Sequence, residues 1–358
     1  MGSRQLRCVL RRRLMGNPFS KGGCANLKGH ARVSAVCFLP NGELVSAGDS
    51  TFRVWNPESG KCELVRKFTG AVETCCCSAD GQCIACGVVD GLIFVFDART
   101  LQQIAHWQAH AACGQGPALQ FFSDSAYLLS AALCTCKMWA SRTSQLINTW
   151  DTAPVTSLHI SPDFACMAAG SHTGIVSVHS LPDGNAVRRV HAHAGEVWAV
   201  EFSPDGSVVA TASRDEPDSV KVWDARTWEL VQALRGHIGP VLDCAFSSDS
   251  AQLVTCGCDK TLRLWRRRID RSLVSPGGSG QLAAAAAAPC AWRCENVLVG
   301  HSDIVTACCF APSRPLLGGG GGSIVASGAR DGLARAWRLE EVPQLTLADA
   351  VAHGVNPV

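Results

Sequence analysis

Twenty cysteines and eleven histidines in 358 residues supply ample ligands and nucleophiles, so their spacing decides what chemistry they can do. The close CxxC pair, Cys83 and Cys86, lies in a run that reads as a β-strand, where residues three apart point to opposite faces. No second pair and no His pair stands at zinc-ligand spacing, so no metal is expected. Cys75, Cys76, Cys77, Cys256, Cys258, Cys308 and Cys309 sit inside apolar runs, where thiols behave as small buried hydrophobes. The chain shows no signal peptide with an uninterrupted apolar core, so the expectation is free thiols in a reducing compartment, cytoplasmic or nuclear. GxxxxGK[ST], GxSxG and HExxH are all absent. The glycine run Gly318 to Ser323 lacks the lysine and following helix that phosphate binding requires, and reads as a flexible loop. Neither an enzyme nor a cofactor is expected.

Composition narrows the classes further. Apolar residues are 47% of the chain against 17% charged, enough for a large core and too apolar for a disordered chain. The net charge is +2, so no global basic field exists to hold nucleic acid or an anionic membrane directly. Every hydrophobic stretch is broken before about eighteen residues, so no membrane span is expected.

The elements that position these residues form a repeat. A short apolar run, a turn rich in Pro, Ser, Asp, Asn and Gly, and a second apolar run recur at Phe38, Cys77, Phe122, Ile160, Phe202, Phe246 and Phe310. Between the turn residues Asn41, Asp80, Asp124, Asp163, Asp205, Asp249 and Ser313 the spacings are 39, 44, 39, 42, 44 and 64. Each copy continues into an alternating run that ends at Trp55, Phe96, Trp139, His179, Trp223, Trp265 or Trp337. Alternation over four to six β-favouring residues between turns marks half-buried antiparallel strands. The chain is therefore read as all-β, with about four short strands per copy.

Gly29-His30, Ala109-His110, Ala192-His193, Gly236-His237 and Gly300-His301 open copies that close on Trp55, Trp139, Trp223, Trp265 and Trp337, and Asp224 follows Trp223. In these features the chain resembles the WD-repeat family over roughly residues 24 to 347. The resemblance implies a seven-bladed β-propeller and a buried polar set in each blade: the opening His, a Ser or Thr on the second strand, an Asp six residues before the Trp, and the Trp. The matching sets are His30, Ser46, Asp49, Trp55; His237, Thr255, Asp259, Trp265; His301, Ser327, Asp331, Trp337; and, with a longer turn, His193, Thr211, Asp215, Trp223. The second, third and fourth copies depart from the pattern and are expected to rely more on apolar packing.

Residues 1–23 are basic and read as a solvated tail rather than a transit peptide or nuclear-import patch. Residues 348–358 read as a C-terminal tail. A Gly/Ser/Ala-rich insertion over about 268–291 is expected to be disordered, and 313–322 reads as a glycine-rich loop. Both should emerge on one face of the disc, opposite Asp215 to Asp218. For ring closure, Gln344 to Leu347 stand after Trp337 where Leu230 to Ala233 stand after Trp223, so the C-terminal segment is expected to close the last blade in preference to Cys24 to Lys28.

The resemblance also implies a non-catalytic protein-interaction scaffold with other proteins as partners. VKVWDAR, ending at Arg226, resembles part of the box that docks some family members on a cullin-4 ubiquitin-ligase adaptor. Asp224 and Arg226, with Arg99, Arg142 and Arg268 at comparable turns, are the candidate partner-binding residues. A ligase substrate receptor is one alternative function; a subunit of a ribonucleoprotein-processing or ciliary assembly is another.

Overall fold

The computed structural model describes residues 24–339 except 113, 115, 123, 124, 182, 216, 270–289 and 313–323. Twenty-eight strands and no helix occur among the described residues. They form seven four-stranded antiparallel sheets, six of them in simple chain order. The first strands, Ala35–Phe38, Val72–Cys77, Ala118–Phe121, Val155–Ile160, Val197–Phe202, Val241–Phe246 and Val305–Phe310, each touch the next, and the last touches the first. A closed cycle of first strands around an axis is a seven-bladed propeller, and it leaves only short outer edges to solvent.

The core lies between blades rather than within them. Seven apolar clusters each join neighbouring blades, as where Val45, Phe52 and Val54 meet Ile84, Cys86 and Phe96. Alternation in the strands produces this, because each sheet must bury both faces. Cys83 and Cys86 fall in different clusters, as residues on opposite faces of a strand should.

The bulges follow a rule. In six blades the register between third and fourth strands shifts immediately before the terminal residue, at Trp55, Phe96, Trp139, His179, Trp223 and Trp265. The extra residue lies on the fourth strand, as Glu63 does opposite Val54 and Trp55, and it bends that outer strand.

The seventh blade corrects the expected ring closure. Its outer strand is Cys24–Lys28, pairing antiparallel with Leu333–Arg338 from Cys24↔Trp337 to Lys28↔Leu333. Gln344 to Leu347 lie outside the described residues. The segment is only five residues long, which is why length alone favours the C-terminal segment. Yet Ala25 and Leu27 are fully buried while Asn26 and Lys28 face out, so the alternation suffices. The first blade seals the joint when Val33 N–H donates to Ala329 O at 2.9 Å and Thr306 Oγ1 donates to Val33 O at 2.6 Å.

The insertion boundary also moves. The third strand of blade six runs to Ile269 and its fourth begins at Cys290, with Arg268↔Ala291 and Ile269↔Cys290 paired, so the hairpin extends into the span read as disordered. Residues 270–289, 313–322, both tails, and the turn residues Asp124 and Ser313 lie outside the described residues.

Candidate functional site

The sequence-matched polar sets come together unequally. His237 Nδ1 lies 2.8 Å from Asp259 Oδ2 and Nε2 2.8 Å from Thr255 Oγ1, while Trp265 Nε1–H donates to the same hydroxyl at 2.9 Å. His301, Ser327, Asp331 and Trp337 repeat this at 2.8–2.9 Å. His193, Thr211, Asp215 and Trp223 do so with a longer His–Asp contact of 3.2 Å.

Blade one differs. Trp55 and His30 share Ser46 Oγ at 2.8 and 2.9 Å, but His30 Nδ1 faces Gly48 O at 3.3 Å and Thr51 Oγ1 at 3.2 Å, not Asp49. Asp49 sits at φ 50° and instead accepts from the Ala31 and Arg32 amides at 2.5 and 3.2 Å. The reason is length: Ser46 to Trp55 spans nine residues where Thr255 to Trp265 spans ten, so the turn carrying Asp49 is one residue shorter. Blade three has the same short turn, with Leu133 at φ 53° in the place of Asp49. It nevertheless assembles His110, Ser130 and Trp139 through two 2.8 Å contacts, with Thr135 Oγ1 3.2 Å from His110, so it depends less on apolar packing than its sequence implied. Blade two does replace the polar set with rings, Phe68, Phe94 and Phe96 packing on one another and on Phe52 of blade one at 4.9–6.5 Å. In blade four, His179 Nδ1 lies 3.1 Å from Gly184 O.

One structural rule escaped the sequence reading. Copies opening on Gly-His carry Arg two residues before the Trp, at Arg53, Arg263 and Arg335; copies opening on Ala-His carry Lys, at Lys137 and Lys221. A Cβ on Gly29, Gly236 or Gly300 would come within 2.4–2.8 Å of the guanidinium below it. The slimmer lysines instead donate to Ala109 O at 2.6 Å and Ala192 O at 2.8 Å. These cations also act on the histidines. Burial first, and then the neighbouring Arg53, Lys137 or Lys221, lower the pKa of His30, His110 and His193 to about 4. The rings are therefore neutral acceptor-donors at pH 7, which suits a structural bridge and not general-acid catalysis.

A second polar ring runs round the axis. Gln120, His159, Glu201 and Asp243, all on first strands, accept the backbone N–H of Ile160, Phe202, Phe246 and Cys308 in the following blade, at 2.6, 3.2, 3.2 and 2.8 Å. Cys76 and Cys309 face the Phe121 and Phe38 amides in the same way. Asp243, Cys256 and Cys308 bring three donor atoms within 4.8 Å of one another, the only such group among the described residues. Both Asp243 oxygens already accept amides, from Cys308 and from its own neighbour Cys244 at 2.9 Å, which gives the cluster a role in blade contact.

Among the described residues, two of the cavities are walled by several blades at once. The first, about 390 Å³, lies where fourth strands lead into first strands and is lined from blades one, two, five, six and seven. Arg32, Arg214 and Arg330 line it together with the apolar Trp198, Pro240 and Leu242. Arg32 pairs with Glu73; Arg214 and Arg330 are exposed. The second, about 310 Å³, lies at the opposite mouth among the turns between first and second strands of blades two to five.

A model described as the IFT122 first β-propeller matches residues 32–289, more than half of the chain, and one described as WD domain, G-beta repeat matches 292–338. The chain belongs to the WD-repeat family. Among its relatives, the guanine nucleotide-binding protein β subunit of rice is 25% identical over 333 residues, covering 72% of this chain and 87% of that protein. Actin-interacting protein 1 of Drosophila melanogaster is 33% identical over 177 residues, 48% of this chain and 28% of that protein. Human WD repeat and SOCS box-containing protein 1 is 33% identical over 105 residues, 29% of this chain and 24% of that protein.

In this WD-repeat propeller the other sequence candidates take defined places. Asp224 Oδ1 accepts the Arg226 and Thr227 amides at 2.9 and 2.8 Å, and Asp97 does the same for Arg99 and Thr100 at 3.1 and 2.7 Å. Both aspartates thus hold the turn after the third strand. Arg99, Arg142 and Arg226 are exposed, and Arg268 pairs with Glu295 at 3.2 Å. Because Arg226 carries no buried contact, Arg226→Ala should change stability by less than about 0.5 kcal/mol. A urea-unfolding midpoint well below wild type would make it a core residue instead.

Proposed function

We propose that this non-catalytic WD-repeat scaffold holds a partner protein at the Arg-lined mouth of its channel, through an acidic segment that also carries an apolar side chain. The observation that carries the reading is Arg214 and Arg330, two exposed guanidiniums over Trp198, Pro240 and Leu242. Guanidinium forks bind carboxylates in pairs, and a desolvated indole and leucine supply the apolar anchor such interfaces need. The match to the IFT122 first β-propeller favours a ciliary assembly as its setting. The ligase reading draws on exposed Arg226 and on the partial match to a SOCS-box protein, and is the weaker of the two.

Affinity purification of the full chain with mass spectrometry tests this. Arg214→Glu with Arg330→Glu should lose the partners that wild type and Arg226→Ala retain, and those partners should belong to a ciliary complex. Retention of every partner by the double charge-reversal variant would sink the mouth as the docking site. Loss confined to Arg226→Ala, together with recovery of a ligase adaptor, would transfer the reading to ligase docking.

A further inference from the structure

The opposite mouth carries three features that folding alone does not require. First, Glu201 and Asp243 stand on adjacent first strands inside the channel, and neither is joined by a basic side chain among the described ion pairs. Their structural task, accepting an amide from the next blade, is done elsewhere in the same ring by the neutral Gln120 and His159. A carboxyl is therefore surplus to that task, and burial pushes both groups well above the usual carboxylate range.

Second, Phe164 occupies a strained turn position. It has φ 58°, and the equivalent turn residues with positive φ are Gly42, Gly81, Ser125, Gly206 and Ser250. A bulky side chain at left-handed φ is costly, and this one is also 38% exposed. It stacks on Phe122 with ring centroids 6.1 Å apart, and both stand in the wall of the cavity with Phe121, Phe202 and Glu201. Third, His159 Nδ1 accepts the Phe202 amide at 3.2 Å, which leaves the ring proton on Nε2, and the residue is part of the same cavity wall.

We propose that this cavity, bounded by Glu201, Phe122, Phe164, Phe202 and His159, is a recognition pocket for an arginine or lysine side chain presented on an exposed segment of a partner protein. A cation entering it ionises and neutralises Glu201 and lies against the faces of the phenylalanines, an attraction that grows as water is excluded. The His159 Nε2–H then meets a backbone carbonyl of the segment that brings the side chain. The volume of about 310 Å³ suits one long side chain rather than a folded domain. The site is independent of the Arg-lined mouth, so the disc would offer acid-binding chemistry on one face and base-binding chemistry on the other.

Isothermal titration of the full chain with the peptide Gly-Ser-Arg-Ser-Gly, against the same peptide carrying neutral citrulline, reads the proposal directly. Saturable binding of the arginine peptide is expected, about tenfold or more weaker for citrulline. Glu201→Gln keeps an acceptor for the Phe246 amide, so it should remain folded while binding falls about tenfold. Phe164→Gly should weaken binding and leave the melting temperature equal or higher, because it relieves the positive φ. Equal binding of the two peptides, undiminished binding by Glu201→Gln, or no saturable binding either by the full chain or after Arg4, Arg7, Arg11, Arg12 and Arg13 are changed to glutamine overturns the pocket. Binding that appears only when Arg4, Arg7, Arg11, Arg12 and Arg13 are changed to glutamine assigns the pocket to the chain's own N-terminal segment, and overturns the partner.

Discussion

Lowering the pH from 6 to 5 is expected to cost the ring roughly 2 kcal/mol, a large fraction of the stability of an ordinary domain. His30, His110, His159 and His193 titrate near 4 in the folded state, chiefly through burial, against about 6.5 when unfolded. Around pH 5 the unfolded chain thus holds about four protons that the folded chain refuses, and stability falls as pH falls. Two carboxyls act in the opposite sense. Burial raises Asp243 to about 7 and Glu201 well above its usual range, so the folded state holds two protons there that the unfolded state has lost. The net difference is between one and two protons from pH 6 to pH 5, and at about 1.4 kcal/mol per proton per pH unit this gives the stated loss. Asp259 and Asp331 are lowered despite the opposing effect of burial, because their histidines and nearby amides hold the carboxylates; their contribution is lost only below that interval. Urea-unfolding midpoints at pH 7, 6, 5 and 4.5 check the slope. A flat profile between pH 6.5 and 5 would refute it, and Asp243→Asn, which removes one opposing proton, should steepen it.

The architecture was legible because a propeller is written in periodicity. Alternation in seven copies gave strand number, blade number and the terminal residues Trp55 to Trp337, since a blade must bury both faces and its strands must alternate. Ring closure was misjudged because length was weighed above pattern: Cys24–Lys28 is short, but Ala25 and Leu27 fill the inward positions. Asp49 was misplaced because counting back from the Trp ignores turn length; counting forward from Ser46 exposes the missing residue. The Gly–Arg and Ala–Lys pairing was in the sequence throughout and needed only a comparison of copies two residues before the Trp.

The two cavities were not legible. Their walls come from residues up to nearly three hundred positions apart, such as Arg32 and Arg330, and no local pattern marks a side chain as facing an axis. One clue at the second mouth was local: the turn series reads Gly, Gly, Ser, Phe, Gly, Ser, and Phe164 is the residue that does not belong there. A departure from a repeat's own turn chemistry points to something other than folding.

The polar sets make the last and most discriminating mutational test, because blades one and six each carry a His, a hydroxyl residue, an Asp and a Trp but in different contacts. His237→Ala removes two 2.8 Å contacts, takes one partner each from Asp259 and Thr255, and opens a cavity where a buried ring stood, for an expected loss of about 3 kcal/mol. Asp259→Ala should cost about 1–3 kcal/mol, since it strands the His237 ring, the Ile238 amide and the Thr261 amide and hydroxyl together. Combining the two should cost clearly less than their sum, because each removes the same contact. Asp49→Gly in blade one reverses the expectation. The His30 ring keeps Ser46, Thr51 and Gly48, and glycine accepts φ 50° without strain, so two lost amide contacts are offset and the change should stay within about 1 kcal/mol. Equilibrium urea unfolding of the four variants measures all of this at once. If Asp49→Gly proves as damaging as Asp259→Ala, the short turn of blade one does not separate Asp49 from the polar set, and sequence position alone would assign the network after all.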